Sequence, residues 1–360
     1  MANILITGNG FDLAHGLPTR YSDFIDYFKS DDLKGHPIHE NVWFKYFGRI
    51  KNIVTWIDFE QEISNALKMI CKISSYAINK NFDKFDDPNI FNMKAVLNDY
   101  EIELLSILEV ITPSGDDYKV ISPYYCSKTK CFKNALINTN LFGQLNEFCN
   151  YLNYYLKGIE SDLKKSNQVK SKKSPLRGFD RICTFNYTNF ITELYGVDAT
   201  KIHHLHGILT NKKKKSDKNQ DSPIVLGVNE LTDEQQKYLG VGALGFTKYF
   251  QTIYKSCDTG ALYNLKVNPD ELLSFTFWGH SLDKSDKKYI KHVFKLFEDH
   301  LDKYIGDEND KNKITIYYHN DESKASMLKN LLDIIGQEDI EKLAYSKKLV
   351  FEESPAIFKS

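Results

Sequence analysis

An α/β fold, a Rossmann-like parallel sheet interrupted by a large α-helical insertion, is predicted by three features of the sequence. The chain opens on a short apolar run, 3–7, that ends in Gly8-Asn9-Gly10. A buried strand feeding a tight turn has this pattern. The second half repeats it at 181–185, 201–205, 224–227, 272–278 and 313–318, and helical stripes follow the last two runs. Strands that alternate with helices imply a parallel sheet covered on both faces. Between the two parts, from about 40 to 165, apolar residues recur at helical rather than strand spacing. Because the first strand comes so early, the helical stretch reads as an insertion at 36–174 into a core built from 1–35 and 175–350.

Each element has its own signal. Pro18 stops the helix after the first turn, since a proline pushes the preceding residue out of the helical region. Phe24, Ile25 and Phe28 form the stripe of a short second helix. In the insertion, Ile63, Leu67 and Ile70 share a helix face, as do Leu97, Tyr100, Leu104, Leu108 and Ile111. The clearest stripe is Phe148, Leu152, Tyr155, Ile159 and Leu163, and 113–131, with Pro, Gly and paired Asp, reads as a loop. In the second half, Ile290, Phe294, Phe297 and Leu301 line one helix, and Leu328, Leu331, Leu332 and Ile335 another. Two Lys-rich segments, 164–173 and 212–218, are expected to be solvated loops, the alternative being contact with phosphate backbones.

Composition narrows the function classes. Hydrophobics at 42% and aromatics at 13% of 360 residues suffice for a sizeable core. A net charge of −1 argues against nucleic acid as a partner and against an acidic membrane. The opening residues have neither the basic nor the apolar region of a signal peptide, and no apolar stretch approaches 18 residues. Six scattered cysteines without a C-x-x-C pair read as reduced thiols in a cytoplasm, with neither disulfide framework nor zinc site, so no metal is expected.

Four polar clusters fall at the ends of expected strands: Gly8-Asn9-Gly10-Phe11-Asp12, Thr184-Phe185-Asn186-Tyr187-Thr188, His204-Leu205-His206-Gly207 and Trp278-Gly279-His280-Ser281-Leu282-Asp283, with Asp286 three residues further on. In open α/β sheets ligands bind outside the carboxyl ends of the strands, so four such clusters point to one site. A Gly-x-Gly turn before a helix suits an anion, because backbone N–H groups can approach a phosphate. The same residues also suit a plain tight turn, with Asp12 and Ser281 as helix caps and His206 as a core histidine. Acids at Asp58 and Glu60 open a long helix and suit its first turn.

Taken in order, these motifs resemble two families. Gly-Asn-Gly-Phe-Asp with Gly16-Leu17-Pro18-Thr19, Trp56-x-Asp58-x-Glu60, Thr-Phe-Asn-Tyr, His-Leu-His-Gly, Gly227-Val228-Asn229-Glu230 and Gly279-His280-Ser281 resemble the AbiH family of phage-defence (abortive infection) proteins over nearly the whole chain. A more distant resemblance is to sirtuins. Gly8, Gly10, Gly16 and Pro18 match their first block, Thr184 and Asn186 the second, His206 and Gly207 the third, and Gly279 and Ser281 the fourth. The resemblance implies a sirtuin-like core that takes NAD as substrate. Asn186 would hold a water beside the nicotinamide ribose, and His206 would be the catalytic histidine. Gly8, Asn9, Gly10, Asp12, His15, Thr184, Gly279, Ser281 and Asp283 would bind the nucleotide. The AbiH resemblance makes Asp58 and Glu60 candidates for lining the cleft from the inserted helices. The sequence departs from sirtuins at Thr19-Arg20-Tyr21 and at Thr188, and it lacks their four-cysteine zinc module.

The expected function is an antiphage effector that hydrolyses NAD or a related nucleotide at the nicotinamide–ribose bond. The expected partners are the nucleotide, a phage trigger of unknown nature and a second copy of the chain. Two other classes stay open: a nucleotide sensor that gates a partner without turnover, and a nucleic-acid-directed effector using the lysine segments.

Overall fold

In the first strand, β1 (Ala2–Thr7), Ile4 and Ile6 pack into one apolar cluster and Leu5 into another, as expected of a strand covered on both faces. The computed structural model describes residues 1–360 except 52, 54, 80–89, 92, 121–124, 127–130, 133–137, 166–174, 211–222, 307 and 356–360. Its contacts group the chain into two units, one of Met1–Thr19, Tyr154–Lys214 and Lys255–Ser360, the other of Arg20–Asn153 and Lys215–Tyr254.

The first unit holds a six-stranded parallel sheet. Its other strands are β2 (Arg181–Thr184), β3 (Ile202–His204), β4 (Leu273–Trp278), β5 (Lys313–Tyr318) and β6 (Leu349–Glu353). Their spatial order is β6-β5-β4-β1-β2-β3, the doubly wound order of dinucleotide-binding folds. One face is covered by α3 (Lys287–Leu301), through Ile290, Phe294 and Phe297, and by the two helices that follow β5. The other face packs Leu5 and Ile182 against Phe11 of α1 (Asn9–Ala14) and Phe190 of α2 (Phe190–Tyr195). Ile159 and Leu163, near the end of the helix Gly143–Lys165, join that cluster.

Several expected elements shift. The run at 224–227 is buried yet forms no strand: it belongs to the second unit, where the Gln251 side chain bonds both the N–H and the C=O of Leu226. A side chain that satisfies backbone groups replaces the ladder a strand would need. In the helix Asp321–Ile334 the core residues are Met327, Leu331 and Ile334, while Leu328 and Leu332 are exposed. Spacings of four and three define the same helical face, so the stripe is rotated from the one the leucines suggested. Part of the expected loop at 113–131 is a hairpin, Ile111–Ser114 against Asp117–Val120, turning at Gly115 with φ +63°. Most of the Lys-rich residues lie outside the described set; Lys164 pairs with Glu193 at 3.1 Å.

The second unit is mainly helical, with an aromatic core that includes Tyr21, Phe24, Trp43, Phe47, Phe59 and Phe148. Asp58 caps its own helix: Thr55 N–H and Oγ1 donate to its carboxylate, and the Asp58 N–H returns a bond to Thr55 Oγ1. Glu60 forms a buried ion pair with Lys248 at 2.8 Å. Among the described residues no helix is long and apolar enough to cross a membrane.

Breaking a buried pair strands a charge, which typically costs about 3–5 kcal/mol, whereas replacing both partners by apolar residues is often neutral. Lys248→Met should therefore destabilise the protein by about that amount, and the double change Glu60→Leu/Lys248→Met should recover most of it. Denaturant unfolding of the three proteins measures the difference; equal losses in the single and double variants would show that the pair is not the source.

Candidate active site

The sheet register brings the four motifs to one level. Thr7 stands opposite Thr184 on one side and Trp278 on the other, and Thr184 stands opposite His204. Four adjacent strands thus end flush, and Gly8, Phe185, Leu205 and Gly279 leave the sheet together. The chain order reverses between β1 and β4, and ligands of such sheets bind beyond the strand ends at this switch point.

The loops after β1 and β4 meet backbone to backbone. Gly10 N–H donates to the Gly279 carbonyl at 2.8 Å. Gly279 has φ +65°, and a Cβ there would lie 2.0 Å from the Phe11 nitrogen. A Cβ on Gly8 or Gly10 would come within 2.9 Å or 2.8 Å of the Gly279 oxygen. Loop against loop is therefore sufficient reason for all three glycines, and the Gly10 N–H is spent within the protein. Asn9 Oδ1 accepts from Thr19 Oγ1 at 2.7 Å.

Asp12 and Asn186 form the next layer. Asn186 Nδ2 donates to the Gly8 carbonyl at 3.0 Å and to Asp12 Oδ1 at 2.7 Å; Thr188 Oγ1 donates to Asp12 Oδ2 at 2.7 Å. Two acceptors on one side assign the amide nitrogen to that side, so the orientation of Asn186 is determined. The Asn186 N–H donates to Thr184 Oγ1, and Thr7 Oγ1 donates to the same hydroxyl at 2.8 Å. His204 Nδ1 donates to the Asn186 carbonyl at 2.8 Å, and burial lowers the pKa of its ring. Asp12 is 2% exposed. Burial pushes its carboxyl up to about 7, against the two hydrogen bonds that favour the charged form, and the nearby Glu160 charge adds to the rise.

Beyond Phe185 lies an acid–base cluster. The Phe185 ring stands 4.9 Å from that of His206 and 4.5 Å from that of His280. Asp286 lies between the histidines: Oδ1 is 3.5 Å from His206 Nε2, and Oδ2 is 3.4 Å from His280 Nε2. All three residues are buried. The loop is held in a costly conformation, since Leu282 adopts φ +54° with its side chain fully buried and its N–H donating to His280 Nδ1 at 2.9 Å. A left-handed leucine costs on the order of 1 kcal/mol or more, which its buried contacts must offset.

The remaining candidates have structural partners. His15 Nδ1 donates to the Phe11 carbonyl and Nε2 accepts from Tyr195 Oη; burial lowers its pKa to about 4, so it is neutral at pH 7. Asp283 accepts from the Ser285 N–H and caps a short turn. Ser281 is exposed, and its carbonyl accepts from Asn330 Nδ2. In the second unit, Glu230 lines a cleft of about 440 Å³ with Leu231, Asp233, Gln236 and Thr247. Among the described residues no His, Cys, Asp and Glu cluster could hold a metal. The geometry adds Glu160 to the residues picked out from the sequence, and it gives partners to Thr188 and Asp286, which the sequence offered only as members of their motifs.

Asp12 makes stability depend on pH with a defined sign. Its folded pKa, about 7, exceeds an unfolded value near 3.8. The stabilising contribution is complete below the unfolded value and is lost as pH rises through about 7, with a slope of at most about 1.4 kcal/mol per pH unit. Asp12→Asn removes this slope. Denaturant unfolding between about pH 5 and pH 7.5 should show wild type losing stability relative to Asp12→Asn as pH rises; a constant difference would mean that Asp12 is ionised throughout.

The family model described as bacteriophage abortive infection AbiH matches residues 4–305. The comparisons with curated proteins and with solved structures find no match. The chain belongs to the AbiH family, whose role is abortive infection, a defence against bacteriophage.

Proposed function

We propose that this defence works by hydrolysis of NAD or a related nucleotide at the nicotinamide–ribose bond, within a sirtuin-like site. The observation that carries the reading is the pairing of Asn186 and His206. Each lies two residues past the end of its strand, and those ends, Thr184 and His204, are register partners in adjacent strands. The sequence matches to sirtuins at Thr184, Asn186, His206 and Ser281 support the same reading. Cleavage builds positive charge on the ribose as the bond weakens. Asn186, oriented by Asp12 and Gly8, holds a water without itself titrating. The water oxygen bonds to the anomeric carbon, nicotinamide leaves with the electron pair of the broken bond, and His206 takes up the proton that is released. Such proton transfer is typically worth about 10²–10⁴-fold.

If the two residues serve one step, removing either disables it and their effects do not add. Purified protein incubated with NAD, ATP and ADP-ribose, with products separated by chromatography, should yield ADP-ribose and nicotinamide from NAD. Asn186→Ala, His206→Ala and the double variant should each lose about 100-fold or more, with the double no worse than the weaker single. Full turnover by a folded His206→Ala protein would remove His206 from the mechanism. Tight nucleotide binding without products would make the protein a sensor, and no binding at all would refute both.

A further inference from the structure

The helix Lys248–Tyr254 of the second unit has its polarity reversed. Its buried residues are Lys248, Gln251 and Thr252, while Tyr249, Ile253 and Tyr254 are exposed. A helix on the surface of a globular protein ordinarily turns its apolar stripe inward. Here polar contacts hold the helix instead: Lys248 pairs with Glu60, Gln251 bonds the backbone at Leu226 and Gly245, and Thr252 Oγ1 donates to the Lys248 carbonyl. Ile253, 75% exposed, has no part in the core. We infer that this face docks a segment of a partner protein in which a basic side chain lies next to apolar ones. Such docking is independent of the nucleotide chemistry proposed for the first unit.

The exposed apolar row runs out of the cleft of about 440 Å³, since Val241 and Tyr249 line that cleft and are themselves 73% and 41% exposed. Ile253 follows Tyr249 by four residues and shares its helix face, about 6 Å further along the axis. Single exposed apolar residues are ordinary, but a row that continues a cleft forms a patch of the kind that marks an interaction site.

The charge of the cleft selects the partner. Glu230 and Asp233, both exposed, bring two carboxylates to its wall, and among the described residues that line it none is basic. The lysines nearby in the chain are engaged, Lys248 with Glu60 and Lys237 over the Tyr238 ring at 4.9 Å. A lysine or arginine of the partner therefore enters the cleft, its charge toward the carboxylates and its aliphatic stem along Val241 and Leu244. Apolar neighbours in the partner cover Tyr249 and Ile253. An anionic membrane or a nucleic acid would bring the wrong sign of charge to the same place.

The test is selection of the purified, fluorophore-labelled full chain on a bead-bound library of random synthetic peptides. Recovered peptides should place lysine or arginine beside leucine, isoleucine, valine or an aromatic residue. Binding of a recovered peptide, followed by fluorescence anisotropy, should weaken about tenfold or more in Ile253→Lys. In Asp233→Asn it should weaken about threefold or more and depend less on salt. Both substituted residues are exposed, so both variants should unfold at the wild-type denaturant midpoint. Val241→Ser, with the same loss expected, replaces Ile253→Lys should that variant not fold. No recovery by wild type, recovery of acidic apolar peptides, or undiminished binding by a folded Ile253→Lys protein would overturn the inference. A dimer in light scattering that Ile253→Lys dissociates would overturn it as well, making the face a contact between copies of this chain.

Discussion

Two backbones pressed together at the centre of the sheet govern the rest of the first unit. The turn after β1 and the turn after β4 share the Gly10 to Gly279 hydrogen bond, at a separation that leaves no space for a Cβ on either side. This contact sets the course of both loops. The first carries Asp12 into the interior, and the second directs His280 and, after the left-handed Leu282, Asp286 toward His206. Glycines of this kind are usually read as places where a phosphate approaches the main chain. Here the approaching group is the protein's own backbone, and that accounts for them without a ligand.

From this junction two buried polar assemblies extend. The first is neutralised by hydrogen bonds: Asp12 accepts from Asn186 and Thr188, and Asn186 is in turn braced by Thr184, Gly8 and His204. The second places the Asp286 carboxylate between two imidazoles, 3.5 Å from His206 Nε2 and 3.4 Å from His280 Nε2. Phe185, directly before Asn186, packs against both rings of the second assembly. A buried polar network is costly unless its members are satisfied, and the first assembly, whose members are hydrogen-bonded, meets that condition.

The polar requirements of the second unit are met differently. Its motif residues Trp56, Asp58, Glu60 and Gly227 have partners within that unit. Asp58 closes a helix cap, Glu60 neutralises Lys248, and a Cβ on Gly227 would lie 2.1 Å from the Phe246 carbonyl oxygen. Motifs that look like candidate site residues in a linear reading can thus be structural, because a buried pair and a close backbone approach restrict residue choice as strictly as a ligand does.

The sequence alone was enough to determine the parallel α/β class and the strand ends at which the polar clusters gather. Both follow from local patterns: a strand buried on two faces is a short apolar run, and the turn that ends it needs glycine or polar residues. Asn186 and His206 were legible for that reason, standing just past such runs. The family was legible too, from the order of short motifs along the chain. What only the tertiary structure decided are the partnerships. Asp12 and Asn186 are 174 residues apart, and His206 and Asp286 are 80 apart, so no periodicity links them. The run at 224–227 looked like a strand because burial alone makes it apolar, yet Gln251 took the place of a neighbouring strand. The helix Asp321–Ile334 turned Leu328 outward because Met327 and Ile334 reach the sheet at the same spacing. Composition records that a residue is buried; which group it meets there is settled by the register of strands that are distant in sequence.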